Sequence, residues 1–590
     1  MKKNWLAFAV ILMFIAGLIL SHSPLHIAGV ATDQGIYQYV GRVILDHGVP
    51  YRDAWDHKQP LTYLIHALGL LITNNSFWGI WVIELIVLTL TGFFSFILLK
   101  KMTPPIVAVL IVLNSILSIW VLSGYGNPEQ LALPFYMLSL ALFFSLISTK
   151  TNSKRRIFSA LLIGGLIAGG FFLKQSLISV GASIVFVLIL DILINRRWTE
   201  VKILLLMGAG FLIVTGVFVT YLGVNHALKD YWNAAYQFNF MYSQTGLLEK
   251  LVSIVDELES ISTYPGLFVV IPLWICILIL SFLMQLPRIV RVIQRRHFQS
   301  VSTLIGLLVL MAIIIKSILD RAIDLGVLET TGLALALVLL LSGFFLSKKS
   351  TITAWIEKSS KSHQILQLHS IERGVRALIY LSAVLVPLTF LLNSLSGEHY
   401  DYYKITFYPS LILMQGVLLH LVLSFSRETI TRNLTLVAAA SFWIGSAISP
   451  AVILINQYQL APDPGFLEGV AFIKEMTNPN DPIYVWGTDT SLYVLTDRNS
   501  PTRYFYQLAA VAWEPYEKRF GVVNEILNAL SANRPKLIIL PDMVKLRGDL
   551  KECLDSADNY GNESPVFEFV CRNYQYTASY SDFQIYCVFR

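Results

Sequence analysis

The stretch that decides the fold is Ala31–Leu61, with the sequence ATDQGIYQYVGRVILDHGVPYRDAWDHKQPL. It follows the first apolar segment directly, in a chain of which only 14% of the residues are charged. Its ionisable side chains include Asp33, Asp46, Arg52, Asp53, Asp56, His57 and Lys58. Because ionisable groups beside a bilayer are costly and usually functional, this stretch is the first candidate for a site.

Two local patterns organise the stretch. Between Gly35 and Asp46 the apolar side chains recur at helical spacing, which predicts an amphipathic helix lying along the membrane surface. Glycine and proline then break the pattern into a loop that ends near Pro60. Asp33 and Lys58 are therefore expected to fold back toward each other at one membrane face. Either these charges simply solvate an outer loop, or they line a pocket, which the neighbouring aromatic residues favour.

Composition identifies the class of protein. The 590 residues are 55% hydrophobic and have a mean hydropathy of +0.62, which predicts a polytopic α-helical membrane protein. The net charge of +6 is expected to reflect membrane orientation, so it does not indicate nucleic-acid binding.

The apolar segments predict about thirteen transmembrane helices, with a cytoplasmic N-terminus and an external C-terminus. Basic runs mark the cytoplasmic ends, as the positive-inside rule requires. The predicted spans are residues 5–21, 77–99, 105–122, 131–147, 157–173, 177–194, 201–221, 267–286, 302–319, 328–346, 376–392, 405–423 and 434–455. The sequence gives no account of the charges at Lys316, Asp320, Arg321 and Asp324, which fall at an outer end.

The composition changes near Pro462 and predicts two domains. Residues 1–460 form the transmembrane domain, whose first external loop is 22–76, and residues 461–590 form a small extracytoplasmic α/β domain. Strands are predicted at 482–486, 537–540 and 583–589, and helices at 466–475 and 519–530. Of the cysteines in this domain, Cys553, Cys571 and Cys587, two can form a disulfide, but their spacing does not say which.

Several motifs together resemble those of a known family. Residues 48–60 have the pattern Gly-x-Pro-Tyr-Arg-Asp-x-Trp-Asp-His-Lys-x-Pro, and they follow an aspartate and an amphipathic helix. This order resembles the first external loop of GT-C glycosyltransferases, nearest to the glycosyltransferase family 39-like branch of protein O-mannosyltransferases and aminoarabinose transferases. The resemblance extends to Asn127-Pro128-Glu129, to residues 169–175, to residues 397–404 and to residues 486–505.

The resemblance implies a membrane glycosyltransferase that takes a sugar from a polyprenyl-phosphate donor on the extracytoplasmic side. The acceptor is a hydroxyl on a protein, lipid or glycan. Asp33 matches the catalytic aspartate, and an inverting transfer needs one such base. Lys58, Lys174 and Arg52 are assigned to the donor phosphate, where fixed positive charge stabilises the leaving group. The sugar and acceptor are assigned to Asn127, Glu129, His57, His399 and Tyr400. His57 stands where the family often has an acid.

Simpler roles stand beside these assignments. Asp33 also suits a helix N-cap, Glu129 a helix N-terminal turn, and Lys174 a side chain that reaches the membrane surface. The aromatic residues of 223–262 suit either a membrane-interface belt or a sugar platform. No cofactor is expected, although a divalent cation stays possible. The alternative functions are a transporter or flippase, or a ligase or polymerase of lipid-linked sugars. A transporter is expected to show internal repeats, and the sequence contains none.

Overall fold

The computed structural model of the chain describes residues 2–589 except 27–31, 75, 121–125, 149–152, 244–245, 265–266, 294–372, 399, 426–428, 458–460, 513, 547 and 582. The helices up to residue 293 are α1 Lys2–Ile19, α2 Thr32–Leu45, α3 Pro60–Ile72, α4 Trp78–Leu99, α5 Pro105–Trp120, α6 Pro128–Ser148, α7 Ser153–Phe171, α8 Ser179–Asn195, α9 Val201–Val224, α10 Leu228–Trp232, α11 Asn239–Tyr242, α12 Leu247–Thr263 and α13 Val270–Ile293. Those after residue 372 begin with α14 Arg373–Asn393, α15 Tyr408–Phe425, α16 Thr429–Gln457 and α17 Pro464–Met476.

Apolar helices dominate the part before residue 458. Within the described residues, six helices are long and apolar enough to cross a membrane, at Asn4–His22, Trp78–Leu99, Pro128–Ser148, Trp198–Val224, Arg373–Asn393 and Asp401–Ser424. Shorter apolar helices lie at Pro60–Ile72, Pro105–Trp120, Ser179–Asn195, Val270–Ser281 and Trp443–Asn456. Leu205 and Leu212 on α9 point outward, more than 60% exposed, as expected for side chains that face lipid. The chain is an integral membrane protein.

Helix bounds agree with most predicted spans to within a few residues, as for α4, predicted at 77–99, and α9, predicted at 201–221. The predicted spans at 302–319 and 328–346 lie outside the described residues, as do Lys316, Asp320, Arg321 and Asp324. The total of thirteen spans therefore stays a prediction.

The loop predicted at 22–76 contains a second helix, α3, that sequence reasoning missed. Pro60, which the sequence pattern places at the end of a loop, occupies the first turn of α3. Proline is favoured there because its fixed φ suits a helix and its missing N–H would have no helical partner. Thr62, Tyr63 and His66 on α3 are buried against neighbouring helices.

The predicted amphipathic helix is present as α2, but protein covers its polar side as well as its apolar side. Its placement along the membrane surface stays a prediction. Its apolar Val40 is buried, but so are the polar Gln34, Gln38 and Arg42. Two glycines explain how both sides are covered. A Cβ at Gly41 would lie 2.7 Å from the backbone nitrogen of Ala67, and one at Gly35 would lie 2.8 Å from that of Ser491. The helix is therefore packed between α3 and the C-terminal part of the chain.

The C-terminal part contains a four-stranded sheet in the order β1-β2-β4-β3, with β1 parallel to β2 and the other pairs antiparallel. The strands are β1 Ile483–Val485, β2 Leu537–Pro541, β3 Tyr574–Tyr580 and β4 Phe583–Val588. Its helices after α17 are α18 Ser491–Thr496, α19 Leu508–Val511, α20 Glu514–Phe520, α21 Val522–Asn533, α22 Leu550–Ala557 and α23 Ser564–Asn573. Three of the strands were predicted, whereas β3 was missed.

The helix predicted at 519–530 corresponds to α21, which begins at Val522. Cys553 and Cys571 form a disulfide between α22 and α23, and Cys587 is free. The sequence had left this pairing open.

Residues 42–56 fasten the helical part to the C-terminal part. Arg42 is buried and donates hydrogen bonds to the carbonyls of Tyr493, at 2.6 Å, and Arg498, at 3.1 Å. The carboxylate of Asp56, 2% exposed, accepts hydrogen bonds from the hydroxyl of Tyr63 on α3, at 2.7 Å, and from that of Tyr506, at 2.6 Å. One buried acid thus joins segments about 450 residues apart in sequence.

Replacing Asp56 by leucine is expected to leave the Tyr506 hydroxyl buried without an acceptor and the Tyr63 hydroxyl with only the Lys58 carbonyl, 3.2 Å away. An unpaired buried hydroxyl costs about 1–3 kcal/mol, so the unfolding free energy should fall by at least about that amount. The midpoint of thermal unfolding in detergent measures this. Tyr506→Phe removes one hydroxyl and should cost less, and a wild-type midpoint for Asp56→Leu would refute the bridge.

Candidate active site

A cavity of about 710 Å³ opens where α2, the loop before α3, the residues after α7 and the segment 400–403 meet. It brings together most of the residues that the sequence singled out. Those that line it are Asp33, His57, Lys58, Asn127, Lys174 and Tyr400. The predicted approach of Asp33 and Lys58 is thus present, since both lie on the wall of one cavity.

Asp33 lies in the first turn of α2, where a carboxylate also interacts favourably with the helix dipole. Its Oδ2 atom accepts hydrogen bonds from the hydroxyls of Tyr37, at 3.2 Å, and Tyr402, at 3.1 Å. Burial and the nearby Asp33 charge raise the pKa of Tyr37, so this hydroxyl keeps its proton and acts as a donor. The structure shows no hydrogen bond from a described residue to the other oxygen, Oδ1, which leaves that atom available to a substrate.

Lys58 and His57 form a fixed pair. The Lys58 Nζ atom lies 2.5 Å from Nε2 of His57, and the Lys58 carbonyl accepts hydrogen bonds from Tyr51, at 2.9 Å, and Tyr63, at 3.2 Å. The imidazole of His57 stacks on Phe238 with ring centroids 5.2 Å apart and an angle of 13°. No described carboxylate lies within 4.0 Å of the Lys58 ammonium, so its charge is not cancelled.

Lys174 has a different environment. Its ammonium lies 2.7 Å from Oε1 of Glu129 and 3.7 Å from the centre of the Tyr403 ring. Glu129 is 1% exposed and is not part of the cavity wall. The two lysines are predicted to act alike, but the net charge around each of them differs. The Glu129 carboxylate compensates the ammonium of Lys174, whereas no described carboxylate does so for Lys58.

Amide side chains cover the wall near Asp33. The Nε2 atom of Gln34 donates to Oδ1 of Asn127 at 2.8 Å, which links α2 to the start of α6. Both residues are buried and line the cavity. Sequence reasoning missed Gln34, although its position directly after Asp33 in a helix that packs against protein could have suggested it.

A π-helical turn at Asn233–Phe238 shapes the side of the cavity near His57. Such turns free backbone groups and are frequent at functional sites. Here the Ala235 carbonyl accepts hydrogen bonds from Gln175, at 2.6 Å, and Asn239, at 2.8 Å, and Asn239 also donates to the His57 carbonyl at 2.9 Å. Aromatic residues of the predicted outer loop line the cavity here, namely Tyr236, Phe240 and Tyr242.

The segment 400–403 contributes Tyr400, Tyr402 and Tyr403 to the cavity wall. Tyr400 stacks on Tyr402 with ring centroids 5.3 Å apart and an angle of 2°. His399, predicted to contact sugar or acceptor, lies outside the described residues.

Arg52 does not line the cavity, so its predicted contact with the donor phosphate is not supported by its position. Its guanidinium instead contacts the Asp53 carboxylate at 2.7 Å and the Asn225 carbonyl at 2.9 Å. Both contacts lie on an exposed surface.

No group of three or more His, Cys, Asp or Glu side chains that could hold a metal ion occurs among the described residues. The expectation that the protein needs no metal is not tested by this observation and stays a prediction.

Comparisons with known proteins agree with this architecture. Residues 56–221 match the family model described as dolichyl-phosphate-mannose-protein mannosyltransferase. The crystal structure of ArnT from Cupriavidus metallidurans bound to undecaprenyl phosphate is 11% identical, with a TM-score of 0.56 over 99% of this chain and 98% of that one. Its apo state is 12% identical, with a TM-score of 0.54 over the same shares.

The chain shares the fold of ArnT along almost its whole length, and part of it matches a mannosyltransferase family model. The resemblance inferred from the motifs is thereby confirmed. AglB from Archaeoglobus fulgidus, an archaeal oligosaccharyltransferase, is also similar, with 12% identity and a TM-score of 0.47 over 98% of this chain and 74% of that one. No curated protein gives a significant sequence match. The residues matched by the family model include Lys58 and Lys174 of the cavity but exclude Asp33.

The lowered pKa of His57 predicts a pH effect on stability. Burial, and then the Lys58 and Lys174 charges, lower the pKa of His57 well below 6.5, although Asp33 opposes them. As the pH falls below about 6.5, the unfolded chain therefore binds a proton that the folded chain does not. Wild type should lose stability relative to His57→Gln between pH 7 and pH 5, by at most about 1.4 kcal/mol per pH unit. Thermal unfolding of both proteins measures this difference. Parallel pH profiles would show that His57 does not titrate in this way.

Proposed function

We propose that the protein is an inverting glycosyltransferase that moves a sugar from a polyprenyl-phosphate donor to an acceptor hydroxyl on the extracytoplasmic side. The observation that carries this proposal is the placement of one hydrogen-bonded carboxylate, Asp33, and one ammonium without a carboxylate partner, Lys58, on the wall of the same cavity. Inverting transfer needs a base on the acceptor side and positive charge on the leaving-group side.

The reaction assigned to Asp33 is the removal of the acceptor proton. As the acceptor oxygen forms a bond to the anomeric carbon, its proton passes to Asp33, and the bond from that carbon to the phosphate oxygen breaks. Among the described residues that line the cavity, Asp33 carries the sole carboxylate. A retaining double displacement would need a second carboxyl group about 5–5.5 Å away. The lining therefore favours inversion.

The charge assigned to the leaving phosphate is that of Lys58. A pre-positioned ammonium stabilises the negative charge that develops on the carrier phosphate when the glycosidic bond breaks. The described lining also contains Leu392, Leu395 and Phe240, an apolar side suited to a polyprenyl chain. The binding of undecaprenyl phosphate by ArnT, which has the same fold, supports this class of carrier.

The sugar and acceptor are assigned to the amide and tyrosine side chains of the cavity. Amides and phenols offer both donors and acceptors to sugar hydroxyls, and aromatic faces pack against sugar rings. The acceptor is a protein, lipid or glycan hydroxyl. The disulfide between Cys553 and Cys571 supports an oxidising, extracytoplasmic location for the C-terminal part.

Asp33→Asn is expected to abolish transfer, by at least about a hundredfold, because general-base catalysis contributes about 10²–10⁴ in rate. Binding of undecaprenyl phosphate should persist, since the variant keeps the cation at Lys58. Mass spectrometry of surface glycoconjugates from cells that express wild type or the variant measures transfer. Full activity of the variant would contradict the assigned base, and a flippase would show no glycoconjugate formation in a reconstituted system.

Replacement of Lys58 by methionine and replacement of Lys174 by methionine are expected to have different effects. Lys58→Met should weaken binding of undecaprenyl phosphate by about tenfold or more, because it removes a charge-assisted contact. Lys174→Met should instead lower the unfolding free energy by about 3–5 kcal/mol, because it leaves Glu129 buried and unpaired.

Adding Glu129→Gln to Lys174→Met should restore much of the lost stability, which a thermal unfolding series tests. Arg52→Gln, outside the cavity, serves as the binding control. If Lys58→Met binds the lipid as wild type does, the phosphate assignment is wrong.

A further inference from the structure

His57 stands out among the cavity residues because the proposed chemistry does not use it. Its side chain is partly buried, lines the cavity and has a Nδ1 atom without a hydrogen-bond partner in the described structure. Its Nε2 atom lies 2.5 Å from the Lys58 ammonium.

The protonation of this imidazole follows from its partner. An ammonium group only donates hydrogen bonds, so Nε2 must accept and must carry no proton. The ring proton then resides on Nδ1, and the imidazole is neutral. Because Lys58 occupies the Nε2 lone pair, His57 is not available as a second base for the acceptor.

The orientation of the ring is fixed from several sides. The imidazole is stacked on Phe238 and meets Trp55 edge to face, with ring centroids 6.4 Å apart and an angle of 82°. The His57 carbonyl accepts a hydrogen bond from Asn239, and the next carbonyl, that of Lys58, is held by two tyrosines. Nε2 therefore points at the ammonium in a rigid frame.

A neutral acceptor has an electrostatic consequence that a carboxylate would not have. Glu129 directs Lys174 and also cancels its charge, at a separation of 2.7 Å. His57 directs Lys58 and leaves the full positive charge available. An ammonium has three donors, so Lys58 can bond to His57 and still offer two N–H groups to phosphate oxygens.

We infer that His57 is a positioning residue for Lys58: its neutral Nε2 atom holds the ammonium at the cavity wall without neutralising it. This inference rests on the proposed function, in which Lys58 binds the carrier phosphate. It replaces the earlier assignment of His57 to sugar or acceptor.

Two substitutions separate positioning from packing. His57→Gln keeps a neutral acceptor near the ammonium and loses the stacked ring, whereas His57→Phe keeps a stacked ring and loses the acceptor. If His57 positions Lys58, the Kd of the His57→Gln variant for undecaprenyl phosphate should lie within about threefold of the wild-type value. The Kd of the His57→Phe variant should be about tenfold higher, as expected for loss of a hydrogen bond to a charged group. If His57 only fills space, the order is reversed.

The measurements are the Kd for undecaprenyl phosphate in detergent and, in the transfer assay, the donor KM and kcat. The His57→Phe substitution should raise the donor KM more than it lowers kcat, because Asp33 is unchanged. Thermal unfolding verifies that each variant is folded. Asn, a shorter neutral acceptor, replaces Gln if that variant is unfolded, and Leu, which has no acceptor, replaces Phe.

Equal binding by the Gln and Phe variants, or tighter binding by Phe, would overturn the inference and leave the proposed function standing. Wild-type binding by Lys58→Met would instead overturn the phosphate assignment, and the inference with it. Weak binding by both Lys58→Met and His57→Phe, with recovery in His57→Gln, is the expected result.

Discussion

The geometry of the cavity depends on one buried carboxylate, that of Asp56. It is held by Tyr63 on α3 and by Tyr506 in the C-terminal part, and it lies two residues before Lys58. A buried carboxylate needs such donors to offset its lost hydration. The hydrogen bonds that stabilise the Asp56 carboxylate therefore also fix the loop that carries His57 and Lys58. The position of Lys58, the residue proposed to bind the phosphate, thus depends on contact between two distant parts of the chain.

Charge is distributed unequally around the cavity, so that its wall has one negative and one positive position. Glu129 cancels the charge of Lys174, whereas Lys58 has a neutral partner. Asp33 contributes the opposite charge. The described wall thus has one negative and one uncompensated positive group, which is the arrangement expected when a proton leaves on one side of a sugar and a phosphate leaves on the other.

The sequence predicted those features that depend on local patterns. Apolar runs locate α4 and α9 because a bilayer demands helices of a set length, and the turn residues after α2 bring Asp33 and Lys58 to one wall. Features that depend on distant partners could not be predicted. The polar face of α2 is buried by residues near Ser491, and Arg52 turns toward Asn225, which no local pattern indicates. The helix α3 was missed because Pro60 is compatible with both a loop and a helix start.

The environment of Asp33 shows how such distant contacts would hold the proposed base. Tyr37, one turn later in α2, donates to Oδ2, and so does Tyr402, from a segment 369 residues away. Two donors on one oxygen restrict rotation of the carboxylate and direct Oδ1 away from them, which is the atom left for an acceptor proton. Tyr402 also stacks on Tyr400 in the cavity wall, so the segment that holds the proposed base also shapes the space that an acceptor would enter. Movement of that segment would therefore change the orientation of the base and access to it together.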